Sequence, residues 1–79
     1  MKYKIIYDAP GRLRLRCGAD VFSKFQERGI ADILMNIKGI TSAKVCAVNG
    51  GILLEYDGDI RGELLTRVSE MDIKIIPET

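Results

Sequence analysis

Arg12, Arg14 and Arg16 stand two residues apart in the run Pro10-Gly11-Arg12-Leu13-Arg14-Leu15-Arg16-Cys17, and that spacing carries the clearest chemistry in the chain. In an extended strand it puts all three guanidinium groups on one side, in a row about 13 Å from first to last at ~3.3 Å per residue. A guanidinium stays charged and offers a planar fork of donors, so such a row suits carboxylates and phosphates. It reads in two ways. One is a solvated sheet face tempered by cross-strand neighbours such as Glu55. The other is a docking surface for an acidic partner, for phosphates or for RNA. Open sheets that bind single-stranded RNA carry stacking aromatics at central positions; here those positions hold Arg and Leu, and no nucleic acid is expected as a partner.

The remaining reactive groups exclude more than they supply. The 79 residues contain no histidine, which removes His-dependent triads and His general bases. Cys17 and Cys46 are the only cysteines, too few for a four-ligand Cys/His zinc site, and they form no disulfide scaffold, so a reducing compartment fits them. Asp57-Gly58-Asp59-Ile60-Arg61-Gly62 has the outline of a calcium loop. Arg61 occupies the fifth position, however, and Val68 the twelfth, where a bidentate Glu is required. Cys17-Gly18-Ala19-Asp20 has one glycine and an acid where an anion would sit, so no phosphate cradle is met. Asp20-Val21-Phe22-Ser23-Lys24, together with Asn49, resembles the phosphate loop Gly-Val-x-Phe-Arg and distant Asn of acylphosphatases. Lys24 stands where that family has its clamping Arg, and Lys does not replace Arg at a bidentate phosphate site.

Twelve Lys and Arg against eleven Asp and Glu give a net charge of +1, with 47% hydrophobic and 29% charged residues. This is ordinary globular composition. The length suits one domain over residues 1–79, burying about 60–65% of its unfolded surface. No apolar run is long enough to span a membrane, and no signal peptide is expected.

These groups must be positioned by short elements. The alternation over 11–17 predicts a strand, with 2–8 as its extension and Pro10-Gly11 as a bulge or edge break. A helix follows, capped by Asp20 or by Ser23, whose partner Gln26 completes a capping-box pattern. Phe22, Phe25, Ile30, Ile33, Leu34 and Ile37 form its apolar stripe, and Lys38-Gly39 ends it. Residues 43–48 and 52–57 flank Asn49-Gly50-Gly51 and predict a hairpin. A second helix is expected behind Asp59 as N-cap, with Ile60, Leu64, Leu65 and Val68 inward. Ile73-Lys74-Ile75-Ile76 reads as a last strand ended by Pro77. The order is βαββαβ. That is an α+β, ferredoxin-like sandwich, a four-stranded antiparallel sheet with two helices on one face and the first and third strands central. Leu13, Leu15 and Cys17 then face the helices, with Ala43, Val45, Ala47, Leu54 and Tyr56. Arg12, Arg14, Arg16, Lys44, Cys46, Leu53 and Glu55 take the open face, which separates the two cysteines.

Ile37-Lys38-Gly39-Ile40-Thr41-Ser42-Ala43-Lys44-Val45 and Ile52-Leu53-Leu54-Glu55-Tyr56-Asp57 resemble two passages of heavy-metal-associated domains, the βαββαβ modules of copper chaperones and metal-transporting P-type ATPases. The resemblance spans about residues 11–76. That family binds Cu(I) or Zn with a Gly-Met-x-Cys-x-x-Cys loop. Here its cysteine positions fall on Val21 and Lys24, or on Ser23 and Gln26, depending on the alignment, which leaves Cys17 as a lone and weak metal candidate. Pro10-Gly11-Arg12-Leu13-Arg14-Leu15-Arg16 resembles a subgroup without the Cys pair, found at the N-termini of bacterial metal-transporting P-type ATPases and in short proteins near them. The resemblance implies a cytoplasmic, non-catalytic regulatory or docking module, held near the inner membrane face through a parent pump and needing no cofactor. Its partner would be a pump's cytoplasmic domains, met through Arg12, Arg14 and Arg16. The alternatives are an acylphosphatase-like hydrolase and a nucleic-acid-binding module of the same fold.

Overall fold

Alternation of Leu with Arg, and of Ile, Leu and Tyr with smaller or polar residues, builds a sheet with one dry face. The computed structural model describes residues 1–76. It has strands β1 (Lys4–Ala9), β2 (Arg12–Arg16), β3 (Ile40–Cys46) and β4 (Gly51–Tyr56), with helices α1 (Glu27–Met35) and α2 (Arg61–Glu70). All strand pairings are antiparallel, in the spatial order β1-β2-β4-β3. Leu13 and Leu15 of β2 and Ile52, Leu54 and Tyr56 of β4 bury against Ile30 and Leu34 of α1 and Leu64 and Val68 of α2. The chain is therefore α+β, a four-stranded antiparallel sheet with two helices, compatible with the ferredoxin-like plan. The two strands expected at its centre are there.

The origin of one edge strand departs from expectation. Residues 73–76 form no strand: Ile73–Ile75 is a 3-10 turn. The place beside β2 belongs to β1, which is a separate strand and not an extension of β2. Ala9 pairs with Arg12, so Pro10 and Gly11 make a two-residue turn, with the proline ring setting the first and Gly11 at φ +80° taking the second. Closing so short a loop costs far less chain entropy than returning the C-terminal segment across the molecule. A bulge at Ile6 bends β1, and with Lys4 it blunts an otherwise apolar edge. Pro77 lies outside the described residues.

What holds 73–76 instead is Gln26, the one buried polar side chain among the described residues. Its Nε2 donates to the carbonyls of Ile73 at 3.0 Å and Ile76 at 3.1 Å, and its Oε1 accepts from the Ser23 N–H at 3.0 Å. Nearby, the amino group of Met1 donates to the carbonyls of Ser69 and Met71, at the end of α2 where the helix dipole favours positive charge.

The helices are shorter than their sequence patterns. Ser23 caps a 3-10 turn (Lys24–Gln26), and α1 runs only from Glu27 to Met35. Phe22 is buried in the segment before that turn, so helical spacing does not link it to Phe25, which is 60% exposed; Ile33 is also 44% exposed. Ile60, not Asp59, occupies the N-cap of α2, without a side-chain cap bond. Asn49-Gly50 does turn the β3–β4 hairpin, but as the end of a four-residue loop, since Cys46 pairs with Gly51. The Asn49 Oδ1 accepts from the Gly51 N–H at 2.8 Å.

Candidate docking face

The strand registers fix which side chains share the face that the helices leave open. Three cross-strand rows lie on it. Ala9, Arg12, Glu55 and Ser42 form the first; Tyr7, Arg14, Leu53 and Lys44 the second; Lys4, Arg16, Gly51 and Cys46 the third. Ile6, the bulged residue, lines the same side beside Tyr7. Arg12, Arg14 and Arg16 are all exposed, while Leu13 and Leu15 between them are fully buried. The alternation therefore separates charge from core as its period of two requires.

Five cations and one carboxylate on this face contrast with +1 for the whole chain. Among the described residues, none of Lys4, Arg12, Arg14, Arg16 or Lys44 enters an ion pair; those found are Arg28–Asp32, Arg61–Asp8 and Arg67–Glu63. Glu55 stands opposite Arg12 in the register without pairing to it. Among the described residues, then, no ion pair has to break for the face to meet an anion.

Alternation places Lys44 on this side, but its membership of a charged cluster depends on β4 lying between β2 and β3. Lys4 and Ile6 escape a sequence reading in which 2–8 continues β2. The Pro-Gly pair, read as a hairpin turn, was the signal that would have brought them in.

The other candidate groups lie elsewhere. Cys17 is half-buried at the end of β2, and its thiol is pushed above the ordinary range by burial, which leaves less of the thiolate that a soft metal needs. Cys46 is exposed on the open face. Ser23 and Gln26, one possible counterpart of the metal-binding pair, are occupied in the capping bond described above. No group of three or more His, Cys, Asp or Glu among the described residues is placed to hold a metal ion. Lys24 is exposed in the first turn of the 3-10 segment, while Asn49 is committed to its own hairpin loop.

On the helix side, Asp8 ties β1 to α2. Arg61 Nε donates to Asp8 Oδ2 at 2.7 Å, with a second guanidinium nitrogen at 2.6 Å. That hydrogen bond holds the carboxyl below the usual Asp value, its charge adding to the effect. A folded-state pKa below the unfolded one contributes stability that is full above the ordinary Asp value of about 3.9 and is lost as pH falls through the lower folded value. Arg61→Gln is expected to return the Asp8 carboxyl to the ordinary range in a carbon-13 pH titration. An Asp8 titration that does not move would assign the depression to something other than this bond.

Fold and face together define a small α+β domain with a cationic open sheet face and two unpaired cysteines. Protein-family models, curated proteins and solved structures were each compared with the chain, and none matches it. No helix among the described residues is long and apolar enough to cross a membrane.

Proposed function

We propose that the chain is a non-catalytic docking module, a heavy-metal-associated-like domain without the Cys pair, that acts by contact on the cytoplasmic domains of a metal-transporting P-type ATPase. The observation that carries this reading is the open sheet face, where Arg12, Arg14, Arg16, Lys4 and Lys44 gather without a single ion pair among the described residues. Such a face steers and orients an acidic surface while the helices carry the stability. The cysteines support contact over carriage. Cys17 ends β2 half-buried, whereas Cys46 sits on the open face, so the two do not converge as a thiolate pair.

The test uses the intact chain and the purified soluble cytoplasmic domains of such a pump. Binding is expected, and reversing charge at Arg12, Arg14 and Arg16 together should weaken it about a hundredfold or more, since charge-assisted contacts contribute ~1.5–3 kcal/mol each. Unchanged binding by the reversed variant would remove the face as the contact. In a parallel chelator competition the chain should fail to take Cu(I) or Zn at roughly micromolar affinity; tight metal capture would instead make it a carrier.

A further inference from the structure

The positive charge of the open face is uneven. In the row Ala9–Arg12–Glu55–Ser42 the single cation stands opposite a carboxylate, so the row is neutral. The other two rows hold Arg14, Lys44, Lys4 and Arg16 and no carboxylate at all. In the last of them Gly51 leaves a gap between Arg16 and Cys46, and the surface there sinks into a depression of about 280 Å³ lined by Arg14, Arg16, Lys44, Leu53, Ile6 and Cys46. Asn49 also lines the depression, and its Oδ1 is already bonded to the Gly51 N–H. Cationic donors and apolar carbon are left to receive a ligand.

The hollow is open and lies near the lower limit of the ~300–1,000 Å³ of pockets that enclose small molecules, a size that fits one or two side chains of a protein. Arg14 and Arg16 lie ~6.6 Å apart along β2, the same repeat at which an extended peptide presents every second side chain.

We propose that the depression beside Gly51 is the anchor of the docking face and takes an acidic, extended segment of a protein partner. Carboxylates of that segment pair with Arg14 and Arg16, and an apolar side chain two residues along packs on Leu53 and Ile6. This rests on the docking role above and narrows it. Arg12, whose row also holds the Glu55 carboxylate, is peripheral, and Arg16 is central.

The probe is an end-blocked peptide with Glu, Glu and Leu at alternate positions separated by Ser, titrated into the full chain by NMR. Amide shifts should centre on Lys44, Cys46, Gly51 and Leu53. Arg16→Gln should weaken binding about fivefold or more, as expected for a charge-assisted bond. Arg12→Gln should stay within about twofold, because neither carboxylate of the segment pairs with Arg12 and Glu55 stands opposite it. In a Cys17→Ser background, bound peptide should protect Cys46 from a maleimide, and the alkylated protein should bind the peptide more weakly. Equal losses from Arg12→Gln and Arg16→Gln, or unprotected Cys46, would overturn the anchor. So would inorganic phosphate or a ten-nucleotide oligothymidylate binding more tightly than the peptide. Pump-domain binding that depends equally on Arg12 would leave the docking role standing and remove only the anchor. A seated peptide with no pump-domain binding would do the reverse.

Discussion

Leu54→Ala is expected to cost about 2–5 kcal/mol, the range for truncating a buried leucine. Leu54 is fully buried on β4, opposite Leu13 on one side and Ala43 on the other. It therefore lies in the layer where both inner strands meet the helices, and the surrounding backbone has little freedom to collapse into the space vacated. A chain of 79 residues is expected to have about 4–12 kcal/mol in all, at ~0.05–0.15 per residue. The single change should thus remove a large share of the stability. The control is its neighbour. Leu53→Ala removes the same atoms from the half-exposed open face and should cost less than about 1 kcal/mol, since little apolar area leaves water there. Urea unfolding of both variants checks the pair, with the midpoint read at unchanged slope. Equal losses would mean that the open face is covered by something that buries Leu53.

Gly50→Ala should be the most damaging of the conservative substitutions outside the core. Gly50 has φ +67°, and a Cβ placed there would stand 2.2 Å from the carbonyl oxygen of Gly18 and 2.6 Å from its nitrogen. Both are backbone atoms, so no rotamer change relieves the clash. The left-handed conformation alone costs a side-chain-bearing residue ~1–2 kcal/mol. Forcing the loops apart also threatens the bond from the Cys17 N–H to the Gly50 carbonyl, 2.8 Å long, worth about 1 kcal/mol net. Gly58→Ala separates the two effects. Gly58 has φ +85° with nothing within 4 Å of the added carbon, so it should show the backbone cost alone. Thermal melts in which Gly50→Ala lost no more than Gly58→Ala would show that the two loops can part without penalty.

Gly50 also marks where sequence reasoning runs out. Asn49-Gly50 announces a turn because both residues tolerate left-handed backbone. That the turn would press against Gly18, 32 positions earlier, follows from no local preference. The same division runs through the candidate site. Alternation over 12–16 separates the arginines from the leucines with no help from the rest of the chain, because a strand's two faces are set by its own pleat. Gathering Lys4 and Lys44 beside them required knowing that β1 folds back through Pro10-Gly11 and that β4 lies between β2 and β3. The expected strand at 73–76 failed for a related reason. Ile73-Lys74-Ile75-Ile76 has strand composition, but β propensity is realised only beside an open edge, and β1 had already closed that edge through a shorter loop.

Phe25 shows the limit in the helices: its spacing fits an apolar stripe, yet a 3-10 turn through Gln26 changes the angular step between residues, so the polar side chain goes inward and the phenylalanine outward. The signal for this was present as the Ser23–Gln26 pair, which reads locally as a cap. Its second role, holding the carbonyls of Ile73 and Ile76, depends on a segment about 50 positions away.

By itself, then, the sequence determined the secondary-structure types over most of the chain, the α+β class and the sorting of arginines from leucines. It also ruled out histidine chemistry and four-ligand Cys/His zinc sites within the chain. These are properties of composition and of short-range periodicity, where each residue's preference acts on its near neighbours. Only the tertiary structure decided which segment closes the sheet's edge, how five cations come to share a face with one carboxylate, and where Gly51 opens a hollow among them. Those outcomes depend on contacts between distant segments, settled by competition among loop-closure entropy, burial and hydrogen bonding that no local window contains.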